Sequence, residues 1–196
     1  MERTMATDVH AHCVPKTLLE EIRRVGRRIG VEVADDEHGV AVSLLGAGGG
    51  RVMRPLSDVD ARLAWMDTAG ISLQLVSPWI SLTASAVTGA GASSFARMYN
   101  EHLAGMVQTH PDRFRALATI PLQEPHAAAA ELRYAITELE MVGVEIATTV
   151  AGRELDDEML EPVWATAEAL QCLVLLHPFD ALGGRDLRRY GLHNIV

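Results

Sequence analysis

With 196 residues, 48% of them hydrophobic and 22% charged, the chain is long enough for one domain with a sizeable core and short for two. A net charge of −9 argues against a general attraction to nucleic acid or to an anionic lipid surface, while leaving room for a local arginine that binds a small anion. Cys13 and Cys172 make no disulfide framework, Met1 to Thr7 lacks the basic-then-apolar pattern of a leader, and no apolar run approaches the roughly 20 residues of a membrane span, so a reducing, cytoplasmic setting is expected.

The first element is a short strand from Thr7 to His12, broken at once by Cys13-Val14-Pro15. Side chains two apart on a strand share a face, so His10 and His12 project together, with Asp8 one step below them. Two imidazoles at one strand end can grip a metal ion, at roughly 2.0–2.1 Å if the ion is zinc. In a chain with eight histidines a chance His-x-His pair is ordinary, and the pair alone decides nothing. Lys16 to Arg28 has Leu18, Leu19, Ile22 and Val25 at helical spacing. The piece from about 29 to 55 reads as an insertion: Val31 and Val33, then Val40, Val42 and Leu44, alternate around Asp35-Asp36-Glu37-His38-Gly39 as in a hairpin. Gly46 to Gly50 is a flexible glycine stretch and not a dinucleotide fingerprint, because no helix opens from its last glycine.

From Ser57 the pattern is regular. Ser57 is expected to cap a helix with Val59, Leu63 and Met66 on its apolar stripe, closed by Gly70. Ile71 to Ser77 is a strand stopped by Pro78, and a loop of small residues runs from Ser81 to Ser93. A helix follows to about Thr109, with Phe95, Met98, His102, Leu103 and Met106 on one face. Phe114 to Thr119 is a strand, Pro125 to Met141 a helix ended by Gly143, and Val144 to Ala147 a strand. Pro162 opens a further helix, Leu173 to His177 is a strand stopped by Pro178, and Asp186 to Val196 begins one more helix. Strands starting near 7, 71, 114, 144 and 173, alternating with helices, imply an α/β fold with a parallel sheet covered by helices.

In parallel sheets of this kind, function gathers at the carboxyl ends of the strands. His10 and His12 end the first strand and His177 ends the fifth, so the three form a plausible partial metal shell. His38, His102, His110, His126 and His193 fit helix surfaces or loops, and Cys13 points away from its histidine neighbours.

The pair His10-x-His12 behind Asp8, together with His177-Pro178, resembles the amidohydrolase superfamily, and within it the metal-dependent decarboxylases of the aminocarboxymuconate semialdehyde decarboxylase type. Met66-Asp67-Thr68-Ala69-Gly70-Ile71, Gly143-Val144-Glu145-Ile146, Leu155-Asp156-Asp157, Pro162-Val163-Trp164, Phe179-Asp180, Arg189-Tyr190 and Asn194-Ile195-Val196 extend the likeness over essentially the whole chain. The resemblance implies a (β/α)8 barrel of TIM type, of which the chain would carry about five of eight units as an amino-terminal portion, in a single domain over 1–196. It implies that His10, His12 and His177 hold a divalent metal, with zinc expected, and that Arg51 binds a substrate carboxylate through its planar fork. Arg54 is left to the loop.

The activity implied is a carbon–carbon lyase that removes carbon dioxide from a small unsaturated or aromatic carboxylic acid. Alternatives are a metal-dependent hydrolase or hydratase on the same scaffold, or a non-catalytic fragment. The family's proton-transfer histidine and metal-binding aspartate lie in its later strands, so no catalytic residue is assigned in this chain. No nucleic-acid or membrane partner is expected, and a homodimer is left open. Thr148-Thr149-Val150-Ala151 departs from the family's Thr-His-Val-Asn, Phe179 stands for its tryptophan, and Gly191 for a pocket aromatic. Five strands of an unclosed barrel would leave free edges at the first strand and at Leu173 to Leu176, which invites self-association. An open sheet with helices on both faces is the competing arrangement.

Overall fold

A computed structural model describes residues 6–45 and 49–178. Strand β1 (Ala6–His12) runs through Pro15 into helix α1 (Lys16–Val25), which buries Leu18, Leu19 and Ile22 and carries Arg23 and Arg24 in its last turn, where cations suit the helix dipole. The helix ends three residues before the expected Arg28, because Gly26 to Ile29 tightens into a 3₁₀ turn. The insertion is the expected hairpin, extended by one strand. Strands β2 (Val31–Asp36), β3 (Gly39–Leu44) and β4 (Gly49–Arg51) form an antiparallel sheet in that order, with Val31 paired to Leu44 and Ala41 to Arg51. Gly49 and Gly50 are therefore ladder residues, and they need to be glycine. A Cβ on Gly49 would lie 2.2 Å from the Val42 carbonyl oxygen, and one on Gly50 2.7 Å from the Trp79 ring.

A one-turn helix α2 (Arg54–Ser57) precedes α3 (Val59–Ala69). The cap of α3 is Asp58 and not Ser57: its carboxylate accepts the Ala61 amide at 3.0 Å, while Ser57 closes the preceding turn. Gly70 ends α3 in the left-handed conformation at φ +73°, as expected. There follow β5 (Ile71–Ser77), α4 (Gly91–Thr109), β6 (Phe114–Ala118), α5 (Pro125–Thr137), β7 (Gly143–Ala147), a small hairpin of β8 (Thr149–Val150) and β9 (Arg153–Glu154), α6 (Glu161–Leu170) and β10 (Leu173–His177). The loop before α4 contains two short 3₁₀ turns, and α5 stops four residues before the expected Met141. The helix expected from Asp186, and the departures at Phe179 and Gly191, lie outside the described residues.

The main sheet is parallel, with strands ordered β1-β5-β6-β7-β10. Helices α3, α4, α5 and α6 each precede the next strand of the sheet in the chain. Between β1, β5, β6 and the helices lies one core, centred on Val76, Phe95, Tyr99, Leu103 and Phe114, all fully buried. Leu132, Val144, Ile146, Leu160 and Val163 form a second core between α5, α6 and β7. Asn100 ties these layers together. Its amide nitrogen donates to the Thr119 carbonyl and to Glu131, both at 2.9 Å, and its amide oxygen accepts the Thr119 N–H at 2.9 Å. Among the described residues, β1 and β10 each pair with a single neighbour in the sheet, and Leu173 and Leu176 on β10 are exposed. No described helix is long and apolar enough to cross a membrane.

Candidate metal centre

Strand β1 carries one irregularity that matters. Its residue Asp8 pairs with Gln74 and Ala11 with Val76, so three steps along β1 match two along β5. An extra residue of this kind reverses the alternation of faces. Asp8 therefore does not sit beneath the two histidines as strict alternation predicts. It faces the helix side, where its carboxylate accepts from Gln74 at 2.7 Å and Gln74 in turn accepts from Arg62 at 2.8 Å. His10 and His12 stay on the inner face.

There they meet His177. The rings of His10 and His12 lie 4.9 Å apart, and each lies 5.1 Å from the ring of His177. One ring nitrogen from each can be chosen so that all three fall within 4.8 Å of one another. These residues sit on β1 and β10, the opposite edges of the five-stranded sheet. In a flat sheet four strand spacings would separate those edges by about 19 Å. The sheet must therefore curl into an arc with its inner side chains converging, which is half of a barrel and not an open sheet with helices on both faces.

The ring orientations are set by the prolines that stop the strands. His12 Nδ1 donates to the Pro78 carbonyl at 2.8 Å, and His177 Nδ1 to the Pro178 carbonyl at 3.0 Å. Each such bond selects the tautomer that leaves Nε2 with a free lone pair, as an outer partner of a metal-binding histidine does. The Pro78 segment is itself held. The buried Tyr99 hydroxyl donates to the Cys13 carbonyl at 2.8 Å and accepts the Trp79 N–H at 3.0 Å. Burial pushes the His12 pKa down to about 4, helped by the neighbouring His10 and His177, and burial also lowers that of His177. Both imidazoles are thus neutral at pH 7, the form that binds a metal.

Sequence reasoning gave Glu145 no role. It lies on β7, its side chain is only 1% exposed, and its carboxylate is 3.5 Å from His10 Nε2. Burial raises its pKa to about 7. The Ser77 hydroxyl is near enough to draw the value down somewhat, but neither carboxylate oxygen has a partner in hydrogen-bonding geometry among the described residues. The available signal was a lone carboxylate inside an otherwise apolar strand of a parallel sheet.

Arg51 is at the end of β4, where its guanidinium makes two bonds to Asp36, at 2.7 and 2.6 Å, with both side chains well exposed. The contact of Gly50 with Trp79 lays this strand against the loop leaving β5, on the same edge as the histidines. Cys13 is fully buried with its sulfur 3.4 Å from that of Met106, away from the site. His102 bonds Thr17 and Glu21 on the outer surface of the helices.

The amidohydrolase family model matches residues 7–189. The chain belongs to the amidohydrolase family. It is 27% identical over 198 residues to the 2-amino-3-carboxymuconate-6-semialdehyde decarboxylase of Dictyostelium discoideum, covering 99% of this chain and 54% of that protein. It is 37% identical over 153 residues to the gamma-resorcylate decarboxylase of Rhodococcus jostii, covering 71% and 45% respectively. The fold matches the 5-carboxyvanillate decarboxylase of Novosphingobium aromaticivorans, solved with bound manganese, at a TM-score of 0.75 and 20% identity, over 98% of this chain and 57% of that one. The chain spans about half the length of the relatives it matches.

Proposed function

We propose that this amidohydrolase chain serves a metal-dependent decarboxylase acting on a small unsaturated or aromatic carboxylic acid. The observation that carries the reading is the convergence of His10, His12 and His177 from opposite sheet edges onto one point. The donor set fits a divalent cation: the Nε2 atoms of His12 and His177 are left free by the proline carbonyls, and an orphaned buried carboxylate stands beside them. Zinc is the ion we propose, since neutral imidazoles suit it; manganese, found in a relative of the same fold, is the competitor. When bound, the ion acts as a Lewis acid on the substrate's oxygen atoms.

The chain's own residues would do the rest. His10, His12 and His177 hold the ion at the carboxyl edge, and the curl of the sheet fixes their spacing. Arg51 would exchange Asp36 for the substrate carboxylate, keeping the same two-bond geometry, and so orient the acid toward the histidines. The small-molecule specificity of the named relatives, all decarboxylases, supports an aromatic or muconate-type acid.

The test is carbon dioxide release from 2,6-dihydroxybenzoate and related acids, using the 196-residue chain and any longer form, loaded with zinc or manganese. Metal-dependent release by either form supports the reading. Release by the 196-residue chain alone is expected to be weak, because groups that act as a unit lose most of their rate when one is missing. Metal binding with no release from either form, or release that chelation leaves unchanged, overturns it.

A further inference from the structure

One polar chain reaches the backbone of two of the three histidines from the helix side of the sheet. Strict alternation along β1 would put Asp8, His10 and His12 on one face; the extra residue between Asp8 and Ala11 turns Asp8 outward and keeps both histidines inside. An extra residue disrupts the ladder locally, so the backbone groups around it need partners from elsewhere. Here side chains provide them. Asp8 Oδ1 accepts the His10 N–H at 3.2 Å, and Asp8 Oδ2 accepts from Gln74 Nε2 at 2.7 Å. Gln74, on β5, is 2% exposed, and its Oε1 accepts from Arg62 Nη1 at 2.8 Å. Arg62, on α3, turns its Nη2 to the His12 carbonyl at 2.6 Å and to the Pro55 carbonyl at 2.8 Å. The chain thus begins on the amide of one histidine and ends on the carbonyl of the other.

The donor and acceptor directions along it are forced. A carboxylate only accepts and a guanidinium only donates, so the Gln74 amide between them has one orientation that satisfies both. The planar fork of Arg62 serves three acceptors at once, the Gln74 side chain and two carbonyls, which a lysine on the same stem does not do. The inner ends of His12 and His177 are oriented by the proline carbonyls through their rings, whereas this chain acts on the strand that carries His10 and His12.

We propose that Asp8, Gln74 and Arg62 are positioning residues of the metal centre: their hydrogen-bonded relay holds the irregular end of β1 so that His10 and His12 present their rings at the spacing one ion requires. The proposal rests on the metal-centre reading above. None of the three residues is assigned a contact with the ion or with substrate.

The relay can be broken and rebuilt with its direction reversed. Gln74→Glu sets a carboxylate against that of Asp8, and Asp8→Asn sets an amide donor against that of Gln74. The double variant Asp8→Asn/Gln74→Glu restores every bond: the asparagine donates to the new glutamate and accepts the His10 N–H, and the glutamate accepts from Arg62. Zn²⁺ and Mn²⁺ affinities by isothermal titration, and the visible absorption of bound Co²⁺ as a report on coordination geometry, are compared for the unaltered 196-residue chain, both single variants, the double variant, Arg62→Lys and His177→Ala. Circular dichroism establishes that each is folded at the titration temperature. Each single variant and Arg62→Lys should bind about 10–100-fold more weakly, the loss that outer partners of a metal site produce, and should shift the Co²⁺ bands. The double variant should recover most of the affinity and the unaltered spectrum. Gln74→Glu separates positioning from charge, because an added negative charge near a cation by itself tightens binding. Gln74→Glu that binds as tightly as the unaltered chain or more so, with His177→Ala impaired, overturns the relay and leaves the histidine site standing. A folded double variant no better than the single ones also overturns it, as does a single variant that does not fold, since the relay would then support the fold at large. An unaltered chain that takes no ion overturns the metal-centre reading itself, and this inference with it.

Discussion

Replacing Asn100 by alanine tests whether the carboxyl edge of the sheet is positioned by buried polar bonds. Asn100 is fully buried on α4, Thr119 is 1% exposed just beyond β6, and Glu131 is 5% exposed on α5. The alanine leaves the Thr119 N–H and C=O without their partners at 2.9 Å, while Glu131 keeps its bonds to Arg97. A stranded buried polar group costs about 1–3 kcal/mol, so the two backbone groups together cost about 2–6 kcal/mol. That is a large part of the roughly 5–15 kcal/mol that holds a domain together. The damage also reaches the rim of the site, because the Thr119 hydroxyl accepts the Ala84 N–H at 3.0 Å and so anchors the loop after β5. Urea unfolding followed by circular dichroism should show the midpoint falling by about 1 M or more at unchanged slope, given slopes of about 1–3 kcal/mol per molar for urea. Asn100→Asp keeps an acceptor for the Thr119 N–H but sets a second carboxylate against Glu131, and it should be no better than alanine at pH 7. A loss below about 1 kcal/mol for the alanine variant would refute the reasoning, by showing that the layers are held by apolar packing alone.

Three further outcomes are expected. Zinc or manganese at 100 times its Kd should add about 2.7 kcal/mol to the unaltered chain, raising Tm by roughly 5–10 °C, and His177→Ala should lose most of that shift in a thermal melt. Burial pushes the Tyr99 phenol well above the usual tyrosine range, with the Trp79 amide offsetting only part. A folded pKa above the unfolded one means stability that is whole below pH 10 and is lost as pH rises through the folded value, so Tyr99→Phe should be weaker at pH 7, where the Cys13 carbonyl and Trp79 N–H lose their partner, yet show a shallower loss of stability in alkali when Tm is followed from pH 7 to 12. Asp36→Asn should change stability little, because its ion pair with Arg51 is exposed, but should strengthen binding of 2,6-dihydroxybenzoate to the metal-loaded chain, whereas Arg51→Gln should weaken it; identical calorimetric titrations for both variants would remove Arg51 from the site.

The strands were readable because proline and glycine punctuate them: Pro78 stops β5 and Pro178 follows β10, each at the predicted residue. Those same two prolines also orient His12 and His177 through their carbonyls, an effect that no spacing in the sequence reveals. Asp8 was misplaced because alternation by two holds only where the strand has no extra residue, and the irregularity between Asp8 and Ala11 depends on how β1 pairs with β5. Ser57 and Asp58 are adjacent residues of equal capping chemistry, so local preference could not choose between them; the turn of α2, closed by a bond from the Asp58 amide to the Arg54 carbonyl, did. Glu145 was passed over for a related reason. A strand buried on both faces reads as a nearly continuous apolar run, and a single carboxylate within it carries no periodic signal. What local pattern also lacked was the curvature of the sheet. Strand twist, accumulated over five strands, is what carries β10 around to β1 and brings His177 about 5 Å from His10 and His12. The residue types at the strand ends select the chemistry, and the arc selects which of them meet.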